Sequence, residues 1–248
     1  MVTIFVYRQG RCDEVTSLDR TWLNPAAGAL VWVDLEAPSI PESLILSESF
    51  GFHPLAVEDA MSAGQPTKIE AYDGCLFAVL RAPDGEVDFF VGHTFLVTVH
   101  HGPSKAVAEF IDNARHSARP LAEGSVALFH RIADSLVDGY RPAVERLGER
   151  SAEIEKHLFE KPSPAVVRDV LAIRRDAFAL CQQALAQRGV VERLSRREFV
   201  DISTDMSFRF RDVHDHLVRV TDEVEALSDR LDGLLTATVG LSGARRWL

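Results

Sequence analysis

Carboxylates and imidazoles gather in three places along this chain. Near the C-terminal end it reads Phe208-Arg209-Phe210-Arg211-Asp212-Val213-His214-Asp215-His216. In a helix Asp212, Asp215 and His216 stand at i, i+3 and i+4, on one face. Oxygen ligands alone would suit magnesium or calcium, whereas an Asp and a His one turn apart could serve zinc, although two ligands do not complete a site. The second place is Glu58-Asp59, adjacent carboxylates at the far end of a short helix that Pro54 starts. A helix C-terminus disfavours negative charge, so a compensating cation is expected there. The third is Asp134 and Asp138, one turn apart on a longer helix. On spacing alone all three read first as solvated polar faces, and His100-His101 as a capping or surface pair at a strand end.

Catalytic arrangements are missing. No Gly-x-Ser-x-Gly elbow, phosphate-binding glycine loop, His-Glu-x-x-His pair or cysteine-centred site occurs, so the sequence makes no case for an enzyme.

One long helix must position the last of these groups. From Asp205 to about Leu241 the apolar residues Phe210, Val213, Leu217, Val220, Val224, Leu227, Leu231 and Leu234 alternate steps of three and four. At 1.5 Å per residue this helix runs about 55 Å. Two further helical stretches precede it. Phe129, Ala133, Leu136, Tyr140, Ala143, Leu147, Ile154 and Leu158 mark one, which Lys161-Pro162-Ser163-Pro164 breaks. The other runs from about Ala165 to Leu194, with Val167, Leu171, Phe178, Cys181 and Leu185 as its apolar side.

The first 120 residues have a different texture. Val2–Tyr7, Leu30–Leu35, Cys75–Leu80, Glu86–Val91 and Thr94–Val99 read as strands, with Asp84-Gly85 as a hairpin turn. Ser39-Ile40-Pro41-Glu42 opens a helix that turns Leu44, Ile45 and Phe50 inward and stops at Gly51, and another helix spans Ser104 to about Ser117. The predicted fold class is therefore α/β: a mixed sheet sandwiched by helices over 1–120, an antiparallel helix pair over 121–200, and a stalk helix over 201–248.

Composition narrows the function. The 248 residues carry a net charge of −10, which argues against sequence-independent nucleic-acid binding and favours attraction of cations. The three cysteines are far apart, without a Cys-x-x-Cys, which fits a reducing cytoplasm. The N-terminus reads as a strand and not a signal peptide, and no window holds 18 near-continuous apolar residues.

Five motifs taken together resemble the CorA family of magnesium and related divalent-cation transport proteins. They are Trp32-Val33-Asp34-Leu35, Phe52-His53-Pro54-Leu55-Ala56-Val57-Glu58-Asp59, Gln65-Pro66-Thr67-Lys68-Ile69-Glu70, Phe90-Val91-Gly92 with Val97-Thr98-Val99-His100, and Phe210–His216. The resemblance covers the chain to about residue 240. It departs at Gln65-Pro66-Thr67-Lys68, where a Gln-Arg-Pro-Lys-like stretch is usual, and at Ser242–Leu248, where family members continue into a membrane span, a Gly-Met-Asn loop and a second span. The resemblance implies the cytoplasmic part of a homopentameric transporter at the inner face of the cell membrane, joined to the membrane only through spans that follow this sequence. It implies a regulatory Mg2+ between neighbouring protomers, with Asp59 and Asp212 at its core and Glu58 and Asp134 in support. Without a cation, opposed carboxylates about 4 Å apart repel by about 4 kcal/mol at an effective dielectric of 20. The histidines at 100, 101, 214 and 216 keep a zinc-handling relative open, and the heptads a soluble oligomerisation scaffold. The seam of the last helix offers apolar residues for self-association, which the acidic charge opposes.

Overall fold

Seven short runs rich in β-branched and aromatic residues form one mixed sheet in the computed structural model, which describes residues 1–160 and 163–244. The strands are β1 (Val2–Arg8), β2 (Arg11–Val15), β3 (Leu30–Glu36), β4 (Lys68–Tyr72), β5 (Cys75–Ala82), β6 (Gly85–Val91) and β7 (Phe95–His100). Their order is β2-β1-β3-β7-β6-β5-β4, with β3 and β7 parallel and the other neighbouring pairs antiparallel. The sequence reading omits β2 and β4, the two edges. Their residues, Arg-Cys-Asp-Glu-Val and Lys-Ile-Glu-Ala-Tyr, are polar because one side of each strand meets water.

Successive side chains of a strand point to opposite faces, so each central strand supplies two cores. Phe77, Phe90 and Val97 face one way and pack with Leu46, Phe52, Ala56 and Ala60. These come from α1 (Ile40–Leu44), a single π turn over Ile45–Ser49, the following loop and α2 (Pro54–Ala60). Trp32, Leu80 and Phe89 face the other way, toward α3 (Lys105–His116), α4 (Arg119–Ala122) and α5 (Ser125–Asp138). Helices thus cover both faces of the sheet.

Four sequence expectations change here. In α1 the backbone N–H and the hydroxyl of Ser39 both donate to Glu42, as the capping signature predicts. Leu44, however, is 45% exposed and Leu46 takes the core position, because the π turn rotates the helix face. The expected single helix from Phe129 to Leu158 is two: α5 and α6 (Tyr140–Glu160), separated at Gly139. Pro142 has no N–H to offer the Asp138 carbonyl, so the ladder fails there. The break at Lys161-Pro162 and the Leu158 side chain fall outside the described residues; Ser163 caps the next helix, α7 (Pro164–Ser195).

The third change concerns α7. Its buried stripe is Val166, Val170, Ile173, Ala177, Leu180, Ala184, Val191 and Leu194, whereas Leu171 is 48% and Phe178 63% exposed. Small residues at 177 and 184 let α8 (Thr204–Ala244) approach closely, which a reading weighted toward large side chains misses. Helix α8 is unbroken, as its spacing predicts, and every seam residue from Phe210 to Leu234 is buried. Helix α7 runs antiparallel to it, with Arg188 meeting Thr221 and Arg174 meeting Asp232. The seam is therefore occupied within the chain and is not free for self-association, contrary to the expectation from sequence.

An aromatic relay ties sheet to stalk: Phe89 lies 5.0 Å from Phe129, and Phe129 5.6 Å from Phe210. Tyr140 donates to the Arg81 carbonyl at 2.9 Å, and the Gln187 side-chain oxygen accepts from the Arg81 N–H at 2.7 Å. These contacts fix α5, the start of α6 and α7 against the sheet, and through them the register of α8. Among the described residues no helix is long and apolar enough to cross a membrane.

Candidate metal centre

Residues four apart on a helix share a face, so α5 presents His130, Asp134 and Asp138 in a row and α8 presents Asp212 and His216. The Phe129–Phe210 contact brings the two rows together. Arg209 secures the register by donating to Glu123 at 2.9 Å, and Arg131 pairs with the same carboxylate. His216 then lies among three acids. Its Nδ1 is 3.8 Å from Asp134 Oδ1 and 4.0 Å from Asp138 Oδ1, and its Nε2 is 3.9 Å from Asp212 Oδ2.

These separations are too long for hydrogen bonds. They approach the spacing of atoms that share one ion through bonds of about 2.0–2.2 Å. Asp134, Asp138 and His216 each offer one atom within 4.8 Å of the others. The buried Asp134 Oδ1 has no hydrogen-bond partner, which a bound cation would supply. With Nδ1 facing the two α5 acids, Nε2–H is left to face Asp212, which would set the ring's orientation. Burial, and then the charges of Asp138 and Asp212, hold the Asp134 carboxyl above its ordinary range against the opposing pull of His130 and His216. Burial lowers the pKa of His130, whose ring stands edge-on to Phe210 at 5.0 Å. The donor set therefore fits a divalent cation. A cleft of about 400 Å³, lined in part by Asp138, Arg141, His216 and Arg219, opens beside it.

Asp59 and Glu58 stand elsewhere in the chain. Both lie in the last turn of α2, whose final carbonyl, that of Ala60, is 3.0 Å from His101 Nε2. Glu58 is exposed. Asp59 Oδ2 accepts from Lys68 Nζ at 2.7 Å, so a lysine supplies the positive charge that the helix end calls for. Within one chain, then, the fold brings Asp134 and Asp212 to opposite sides of His216 and leaves Glu58 and Asp59 outside that group. Asp215 instead faces His214 at 3.4 Å.

From sequence, His216 pairs with Asp212 only as an incomplete zinc pair, and Asp138 reads as part of a solvated stripe; neither enters the expected magnesium site. The four-residue spacings of Asp134 with Asp138 and of Asp212 with His216 are visible in the chain, but not that these two faces meet. His100 also departs from its reading as a surface or capping residue. It is 4% exposed and pairs with Asp34 in a buried network.

Comparison with known proteins places this geometry in context. Residues 27–245 match the family model described as CorA-like Mg2+ transporter protein. The proposed metal ion transporter YfjQ of Bacillus subtilis is 30% identical over 223 residues, which are 88% of this chain and 70% of that protein. The cobalt/magnesium transport protein CorA of Thermotoga maritima is 25% identical over 212 residues, 77% of this chain and 57% of that one. The soluble domain of CorA from Methanocaldococcus jannaschii shares the fold, with a TM-score of 0.81 at 16% identity and 97% of each chain covered. This chain thus spans only part of the length of the curated relatives it matches.

Proposed function

The chain belongs to the CorA-like Mg2+ transporter family, and from that premise we propose that it is the cation-sensing cytoplasmic part of a divalent-cation transporter. In this reading five copies form a ring at the inner face of the membrane. Residues 1–120 and the helix pair act as the sensor, and α8 is the stalk that continues toward the pore. Asp59 and Glu58 of one protomer approach Asp212 and Asp134 of its neighbour. The observation that carries the reading is the group around His216: three carboxylates and an imidazole, with the buried Asp134 Oδ1 left without a partner.

The chemistry follows from charge. Carboxylates held close together repel, and the repulsion grows as water is excluded between protomers. Oxygen ligands at a partly hydrated site suit magnesium, and few direct carboxylates give the modest affinity that lets a sensor release its ion. With the cation bound the acids hold the ring closed; without it they drive the protomers apart, a population shift between two states. A second reading, a zinc-handling relative, is favoured by one feature, the imidazole of His216 turned toward two carboxylates. Calorimetric titration of the chelator-stripped chain with Mg2+ and with Zn2+ tests both. Saturable Mg2+ binding supports the first reading and tighter Zn2+ binding the second, whereas a scaffold built only for oligomerisation binds neither.

A further inference from the structure

Lys68 stands between two acids. Its Nζ is 2.7 Å from Asp59 Oδ2 and 3.1 Å from Glu70 Oε2, and it lies 5.5 Å from the centre of the Phe77 ring. Lys68, Glu70 and Tyr72 alternate along β4 and so share one face of the strand. The Tyr72 hydroxyl donates to Glu70 at 3.0 Å and steadies that carboxylate. The ammonium thus has a second acceptor already in place. It can leave Asp59 without losing all of its pairing.

We propose that Lys68 is a tethered competitor for the cation at Asp59, and that Glu70 is where its charge rests when a divalent ion takes Asp59. The inference rests on the reading that Asp59 is a cation ligand and adds what sets the affinity there. A lysine on the same carboxylate raises the cation concentration needed to occupy it, because the ion must displace one positive charge and then bind beside it. Glu70 works the other way. By accepting Lys68 it lowers the cost of displacement and offsets the charge left next to the ion. Together the pair places the midpoint of the sensor.

The two residues therefore predict shifts of opposite sign. Mg2+ affinity is measured by calorimetry on the full chain for wild type, Lys68→Met, Lys68→Gln, Glu70→Gln and Asp59→Asn. Both Lys68 variants should bind Mg2+ about tenfold more tightly, and Glu70→Gln about threefold more weakly. Lys68→Gln retains hydrogen-bonding capacity without charge, so it separates competition from support of the local fold. Unchanged or weaker binding in both Lys68 variants, with binding lost in Asp59→Asn, overturns the role of Lys68 and leaves Asp59 a ligand. Wild-type affinity in Asp59→Asn overturns both the inference and the reading beneath it.

Discussion

Asp134 Oδ1 and His216 Nδ1 face each other at 3.8 Å across the seam between α5 and α8, and the carboxylate oxygen is buried without a hydrogen-bond partner. As ligands of a cation, the pair would give the proposed site a mixed preference. Nitrogen ligation favours zinc and its neighbours over magnesium, whereas carboxylate oxygens serve both. His216→Ala should weaken Zn2+ binding by about tenfold or more and change Mg2+ binding little, while Asp134→Asn should weaken both. Competitive titration with a zinc indicator, repeated with Mg2+ present, reads the two effects. Equal losses for both ions in His216→Ala would remove the imidazole from the ligand set.

The buried His100 gives a pH dependence. Its Nδ1 lies 2.6 Å from the Gly102 carbonyl and its Nε2 about 3.3 Å from the Asp34 carboxylate. Both ring nitrogens face acceptors, an arrangement that favours the imidazolium, which can donate twice. Burial alone would lower its pKa; the hydrogen bond and charge of Asp34, then the Gly102 carbonyl and the charge of Glu36, raise it above the ordinary histidine value. A raised cationic pKa stabilises fully below about pH 6.5, the unfolded value, and the contribution is lost as pH rises through the folded pKa. Asp34 also accepts from Thr98, which accepts from Trp32. Asp34→Asn should therefore cost about 3–5 kcal/mol at pH 6, read by urea denaturation.

Asp88 contributes in the same direction for the opposite chemical reason. It is 1% exposed on β6, neither carboxylate oxygen has a hydrogen-bond partner, and it lies between Val79 and Val99 in register. Burial, then the charges of Glu86 and Asp59, push its carboxyl up to about 8 against the pull of Arg81 and Lys68. The folded protein holds a proton there that the unfolded chain releases near pH 4, so stability falls as pH rises from about 4 to 8. Asp88→Val should stabilise by about 2–4 kcal/mol at pH 7.5 and flatten that slope. A thermal melt of the variant that is no higher than wild type at pH 7.5 would contradict the assignment.

The α7–α8 packing separates two classes of apolar residue. Leu217 is fully buried in the seam, and its replacement by Ala should cost about 2–5 kcal/mol. Phe178 projects from the other side of α7, and Phe178→Ser should stay within about 0.5 kcal/mol of wild type. Denaturant midpoints of the two variants at low protein concentration check the contrast.

What could be read from the chain follows which forces are local. The three-four spacing of α8, the Ser39–Glu42 cap and the Asp84-Gly85 turn depend on neighbours in sequence, and each appears where the sequence puts it. The buried side of α7 depends on which partner helix arrives, so Leu171 and Phe178 were indistinguishable from core residues. The edge strands β2 and β4 carry too few apolar residues to announce themselves. At the site, Asp134 and Asp212 were legible as acids at helical spacing, and the family resemblance singled them out. His216 and Asp138 needed the α5–α8 crossing, and Lys68 needed the α2–β4 approach, neither of which has a sequence period.

In the proposed ring, Asp59 of one protomer and Asp212 of its neighbour share a cation, and subunit mixing tests this sharing. Chains carrying Asp59→Asn and chains carrying Asp212→Asn are combined in equal amounts without metal, then titrated with Mg2+ by calorimetry. In a ring of head-to-tail contacts, an interface is intact only where an unaltered Asp59 meets an unaltered Asp212, which occurs at about a quarter of the interfaces. Neither variant alone should bind at the wild-type affinity, and the mixture should regain about a quarter of the wild-type sites. A mixture that binds no better than its separate components would contradict the sharing.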